Sequence, residues 1–141
     1  MTCPTIKLLH VEDDPAQRRF VAHHLASIGE YRFDVHPAES EDAAMDEFEG
    51  GGVEFVILDY HLTGGNGLSC LEKLRRRDQI VPIIAISGLA TPEIAAELLR
   101  GGADDFISKK ELSGEVLARS VRGAMARAVA WRRRTQKREQ A

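Results

Sequence analysis

A doubly wound α/β fold, with helices on both faces of a parallel sheet, is the architecture this 141-residue chain predicts. Three observations carry that reading. Strand-like apolar runs alternate five times with helical periodicity, the pattern of βαβ units. The third and fourth runs, Val53-Glu54-Phe55-Val56-Ile57-Leu58 and Pro82-Ile83-Ile84-Ala85-Ile86, are almost wholly apolar, as strands covered on both faces must be. Four of the runs end on a reactive polar residue, and in an open parallel sheet those C-terminal ends line one crevice. Right-handed crossovers then restrict the topology to a doubly wound sheet.

The elements follow in order. Ile6 to Val11 forms the first strand and runs into Glu12-Asp13-Asp14. Asp14 caps a helix with Pro15 at its first position, Phe20, Val21, Leu25 and Ile28 as its apolar stripe, and Gly29 at its end. Tyr31 to His36 reads as the second strand. Ser40 caps a helix through Ala43, Ala44, Met45 and Phe48 that stops at Gly50-Gly51-Gly52. The third strand ends at Asp59, and the loop Gly64-Gly65-Asn66-Gly67 leads to a helix with Leu68, Leu71 and Leu74. The fourth strand ends at Ser87. Thr91-Pro92 opens a helix carrying Ile94, Ala95, Leu98 and Leu99, closed by Gly101-Gly102. The fifth strand ends near Lys109, and a last helix starts at Ser113 and runs well past Ala130. No internal repeat, linker or second domain breaks this series.

Composition narrows the class. A chain of this length fits one domain with a real core. A formal net charge of −3 excludes a molecule that binds polyanions with its whole surface. The charge is uneven, however: from Arg122 to the C-terminus the chain is +6, so the remainder carries −9. Cys3 and Cys70 are the only cysteines, which excludes a disulfide framework and suits a reducing compartment. No apolar run reaches transmembrane length and the N-terminus lacks a signal pattern, so a cytoplasmic location is expected.

At the crevice, Asp13 and Asp59 would bring two carboxylates together. Magnesium takes oxygen ligands and retains several waters, so two or three protein oxygens suffice, and Glu12 could hold one of those waters. A carboxylate oxygen of Asp59 can attack phosphorus in line, giving an acyl phosphate. Lys109 can pair with a phosphoryl oxygen, and Ser87 can donate a hydrogen bond to another. Each residue alone has a plainer reading: Asp14 is a helix cap, an Asp or Ser after a strand forms turns, and Lys109-Lys110 could be a solvated pair. Their co-occurrence at alternate strand ends favours the joint reading.

These stretches resemble the receiver domain of bacterial two-component response regulators, over about residues 5 to 125. The matching segments are Val11-Glu12-Asp13-Asp14, Asp59-Tyr60-His61-Leu62 with Gly67, Ile83-Ile84-Ala85-Ile86-Ser87-Gly88, and Gly102-Ala103-Asp104-Asp105-Phe106-Ile107-Ser108-Lys109. The resemblance implies a flavodoxin-like five-stranded sheet in the order 2-1-3-4-5 with five helices, the last extended. It places the phosphoacceptor at Asp59, the Mg2+ ligands at Glu12, Asp13, Asp59 and the backbone carbonyl of His61, and the phosphate-binding lysine at Lys109. The switch pair falls on Ser87 and Phe106: phosphate on Asp59 draws the Ser87 hydroxyl towards it, Phe106 turns inward, and the face made by the fourth helix, fifth strand and last helix changes. On spacing alone, Phe106 reads equally well as a plain core aromatic. His61 and Leu89 flank the phosphate position and could tune the lifetime of the acyl phosphate. Two positions depart from the family pattern, Thr63 and Lys110, where proline is usual. A cis bond before a non-proline residue costs about 3–4 kcal/mol, so Lys109-Lys110 is expected to be trans or strained.

The resemblance implies a receiver over residues 1–126, followed by a basic helical extension over 127–141. Leu117, Val121, Ala124, Ala128 and Trp131 are spaced as a heptad seam. Beyond about Met125, three readings compete: a solvated basic tail, a helix for homodimerisation or partner docking, and a nucleic-acid or anionic-membrane patch, ranked last because aromatics are few. The partners implied are a sensor histidine kinase or histidine phosphotransferase and a downstream protein target. The expected function is a phosphorylation-controlled signalling module rather than an enzyme. A phosphatase with an aspartyl nucleophile commonly carries a second acid two residues on, where this chain has His61. A nucleotide-binding domain is disfavoured because acids, not a Gly-rich loop, follow the first strand. A receiver cut from a larger regulator and a binding module that is never phosphorylated are the alternatives.

Overall fold

The computed structural model describes residues 3–62, 65–89 and 91–140. Strands β1 (Thr5–Val11), β2 (Arg32–Ala38), β3 (Phe55–Asp59), β4 (Ile83–Ser87) and β5 (Asp105–Ser108) form one parallel sheet. Their order is β2-β1-β3-β4-β5, the doubly wound order expected. Helices α1 (Pro15–Ala26), α2 (Glu41–Glu49), α3 (Gly67–Arg77), α4 (Pro92–Arg100) and α5 (Gly114–Gln140) connect and cover the strands.

Successive strand residues point to opposite faces, so the sheet divides its own side chains between two cores. Leu9, Val11, Val56, Leu58, Ile83 and Ala85 meet Ala44 of α2, Cys70, Leu71 and Leu74 of α3 and Leu98 of α4. Ile6, Leu8, Phe55, Ile57, Ile84 and Ile86 meet Val21 and Leu25 of α1 and Leu117, Val121 and Ala124 of α5. This two-sided burial is why β3 and β4 read as unbroken apolar runs. Cys70 is fully buried and its thiol is pushed up to about 12 by that burial, so it acts as a small apolar filler.

The caps sit where the sequence puts them. Asp14 accepts the Ala16 N–H at 2.9 Å, Ser40 accepts Ala43 N–H at 3.1 Å, and Thr91 accepts Ile94 N–H at 3.2 Å. Asn66 caps α3 by accepting Ser69 N–H at 3.1 Å. Three details differ from expectation. Phe20 is 37% exposed and Leu99 49%, because each sits about 100° round its helix from a neighbour, Val21 or Leu98, that takes the buried position. Strand β2 continues through Pro37 to Ala38; as an edge strand it tolerates a residue that cannot donate. The Gly-rich loop begins as an antiparallel ribbon, His61–Leu62 against Gly65–Asn66. Thr63, one of the two departures noted in the sequence, lies outside the described residues.

An arginine that the motif reading passed over ties the α4–β5 corner together. Arg75 donates from Nε to the Gly102 carbonyl (2.8 Å) and from Nη1 to Val81 O (2.6 Å), and its Nη2 lies 3.1 Å from Asp104 Oδ2. Asp104 Oδ2 also accepts Ile83 N–H at 2.8 Å. Among the described residues no helix is long and apolar enough to cross a membrane.

Gly67 illustrates how closely α3 approaches β3. A Cβ there would lie 2.5 Å from the Asp59 carbonyl oxygen and 2.7 Å from Tyr60 Cα, both backbone atoms that cannot swing away. Gly67→Ala is therefore expected to destabilise the protein by roughly 3 kcal/mol in urea unfolding. Gly29→Ala, where a Cβ meets nothing within 4 Å, should be neutral or slightly stabilising.

Candidate functional site

Parallel pairing sets the register Val11↔Leu58, Asp59↔Ile86 and Ser87↔Ser108. The residues at or just beyond the ends of four strands are therefore held at one edge of the sheet. Lys109 N–H donates to Ser87 O at 2.8 Å and Tyr60 N–H to Ile86 O at 2.9 Å, which continues the ladder past the strand ends. Lys110 N–H bonds Ser108 Oγ at 3.3 Å, and no cis peptide occurs among the described residues, so Lys109-Lys110 is trans.

The acids and the lysine converge as expected, while the Ser87 hydroxyl does not join them. Lys109 Nζ lies 2.9 Å from Asp59 Oδ2 and 3.7 Å from Glu12 Oε1. Glu12, Asp13 and Asp59 each offer a carboxylate oxygen, and these three oxygens lie within 4.8 Å of one another. Glu12 and Asp59 are buried, 1% and 3% exposed, while Asp13 is partly open to solvent. His61 is exposed; its backbone N–H donates to Asp59 Oδ1 at 3.0 Å. Ser87 is fully buried, and its hydroxyl is committed to the Leu89 backbone: it donates to Leu89 O at 2.9 Å and accepts Leu89 N–H at 3.1 Å. Phe106 is half-buried on β5 and packs against the α2–α3–α4 core. Arg18 is a supporting residue that no motif flagged. Its Nη1 donates to the Glu12 carbonyl at 2.9 Å from the first turn of α1.

Two carboxyls in one enclosed space cannot both ionise cheaply. Burial, reinforced by Asp59 beside it, pushes Glu12 up to about 9. Burial also opposes ionisation of Asp59, but the Glu12 carboxyl beside it and hydrogen bonds from Lys109 and the His61 N–H outweigh it and hold Asp59 below its usual range. Asp59 is therefore the ionised partner and Glu12 the one that retains a proton. Neither Glu12 oxygen has a hydrogen-bond partner of good geometry, although both are buried. Buried, unpartnered carboxylate oxygens beside two further acids are what a hard divalent cation satisfies. The donor set is all oxygen, which fits Mg2+.

In the absence of metal, a folded-state Glu12 that binds a proton more tightly than the unfolded chain favours folding at low pH. That contribution is complete below about 4.5 and is lost as pH rises towards about 9. Metal-free protein should accordingly lose stability on alkaline titration across that window. Glu12→Gln should flatten the slope in thermal melts recorded over the same pH range, and should weaken stabilisation by Mg2+.

Comparison with known proteins agrees with this geometry. A family model described as response regulator receiver domain matches residues 8–121. The transcriptional regulatory protein TcrA of Mycobacterium tuberculosis (strain ATCC 25618 / H37Rv) is 33% identical over 128 residues, covering 86% of this chain and 49% of that protein. The solved structure of NtrX from Brucella abortus is 26% identical and superposes with a TM-score of 0.86 over 97% of this chain and 31% of its own. A response regulator from Burkholderia pseudomallei, solved with a phosphorylated aspartic acid, a calcium ion and citrate, is 25% identical, with a TM-score of 0.70 over 80% of this chain and 65% of its own. The chain spans about half the length of the curated relatives it matches. With its sheet order, its acid cluster and its lysine in agreement, the chain belongs to the response regulator receiver domain family.

Proposed function

We propose that Asp59 accepts a phosphoryl group, from a sensor histidine kinase or a histidine phosphotransferase, and that the protein signals through contacts that depend on this modification. The observation that carries the reading is the 2.9 Å approach of Lys109 Nζ to Asp59 beside the three-acid cluster. Members of the family generally bind Mg2+ at such an acidic pocket. Here Glu12, Asp13, Asp59 and the backbone carbonyl of His61 are the groups that would hold it. Bound there, the ion offsets the charge of carboxylate and phosphoryl group together.

The chain's own residues do the rest. Asp59, kept ionised by Lys109 and the His61 N–H, presents an oxygen to phosphorus; its new O–P bond forms as the donor's bond to phosphorus breaks. Lys109 then pairs with a phosphoryl oxygen instead of the free carboxylate. The Ser87 hydroxyl, now spent on the Leu89 backbone, is released to the phosphoryl group, and Phe106 turns inward. Together these change the α4–β5–α5 face for a downstream protein. The protein assists its own phosphorylation and dephosphorylation without turning over a separate substrate. His61 and Leu89, 57% exposed, stand where they can govern water's access to the acyl phosphate. A cytoplasmic location suits a module of this kind. The partial coverage of its curated relatives favours, as a second reading, a receiver that works within a larger regulator.

Incubation with Mg2+ and acetyl phosphate should raise the intact mass by one phosphoryl group, and Asp59→Asn should abolish the gain. No gain in the unmodified protein would overturn the proposal, and turnover of a phosphomonoester panel would replace it with an enzyme. Replacing His61 should change the decay rate of the phosphorylated form; an unchanged rate removes its assigned role.

A further inference from the structure

Helix α5 is 27 residues long, about 40 Å, and the body covers only part of it. Along one face, Leu117, Val121 and Ala124 are fully buried and Ala128 is 7% exposed. Trp131 continues the same face, two heptads after Leu117, and is 50% exposed. The seam therefore leaves the domain between Ala128 and Trp131 while its helical spacing carries on. Trp131, Arg134, Thr135 and Arg138 line a shallow groove of about 80 Å³ on this free stretch.

Charge identifies what the groove accepts. Arg127 and Arg134 flank the seam on one side and Arg132 on the other, with Arg138 in line with it. Arg127 is turned to Asp104, with Nη2 donating to its backbone carbonyl at 3.0 Å. Among the described residues no carboxylate pairs with Arg132, Arg134 or Arg138. A second copy along this seam would set arginine against arginine: Arg127 against Arg132 of the other helix in a parallel pair, and like flanks against each other in an antiparallel one. A lipid surface would find little to bury, since Val129 lies about 125° round the helix from the middle of the seam and the other apolar residues there are alanines.

We propose that the free half of α5 is a docking face for an amphipathic helix with acidic flanks on a partner protein. Apolar residues of that helix would pack on Trp131, and its carboxylates would meet Arg132, Arg134 and Arg138. None of these residues lies in the crevice, so the inference stands or falls separately from phosphorylation of Asp59.

Trp131 is the only tryptophan, so its emission reports the seam directly. The probe is a synthetic four-heptad helix with leucine and isoleucine in the seam and glutamate on both flanks; its control carries lysine on the flanks. The glutamate probe should shift Trp131 emission to the blue, saturably, and the lysine control should not. The exposed-site variant Arg132→Glu/Arg134→Glu should lose about tenfold in affinity for the glutamate probe and gain response to the lysine one. Equal responses to both peptides, or none to either, would overturn the proposal. So would a concentration-dependent blue shift of the protein alone with sedimentation as a dimer, or tighter binding to phosphatidylglycerol vesicles or duplex DNA than to the glutamate probe.

Discussion

Parallel register is the constraint on which the site depends. Once β1, β3, β4 and β5 pair in parallel, residues from four distant stretches of chain share one edge. The ion pair between Lys109 and Asp59 then closes that edge across fifty residues of sequence. Its strength comes from enclosure. Asp59 is almost fully buried and Lys109 about one-third exposed, so the pair is less screened than a surface salt bridge. The site is built from strand ends that the two cores hold in place, with the Ser87 hydroxyl bonded to the Leu89 backbone.

The acid pair shows how the fold sets chemical roles among similar groups. Glu12 and Asp59 are both buried carboxyls, yet only Asp59 has a cation and a backbone N–H at hydrogen-bond distance. That asymmetry makes Asp59 the ionised acid and leaves Glu12 as the group in need of a partner. Arg18 adds a second layer by gripping the Glu12 main chain from α1, so the acid's backbone is held while its side chain stays uncommitted. The arrangement answers a common difficulty of anionic sites: the protein tolerates a cluster of acids without metal by letting one of them keep its proton.

Helix α5 serves two environments in succession. Its first half buries Leu117, Val121 and Ala124 against the sheet, and its second half continues the same spacing where no sheet remains.

Local sequence determined a great deal here. Caps at Asp14, Ser40 and Thr91, apolar runs for β3 and β4, and polar residues at the strand ends all follow from short-range chemistry, and they made the fold and the members of the site legible. What depended on neighbours remote in sequence was not legible. The sequence assigned Phe20 and Leu99 to buried stripes, and only packing against the sheet showed Val21 and Leu98 taking those places. The grip of Arg75 on Val81, Gly102 and Asp104 has no motif, since its partners are backbone carbonyls and one acid brought together by the turn of the chain. Which of two acids ionises, where the Ser87 hydroxyl rests and how far along α5 the body reaches were likewise settled by tertiary structure. Each depends on burial and on distances between groups far apart in the chain, quantities that composition and spacing do not contain.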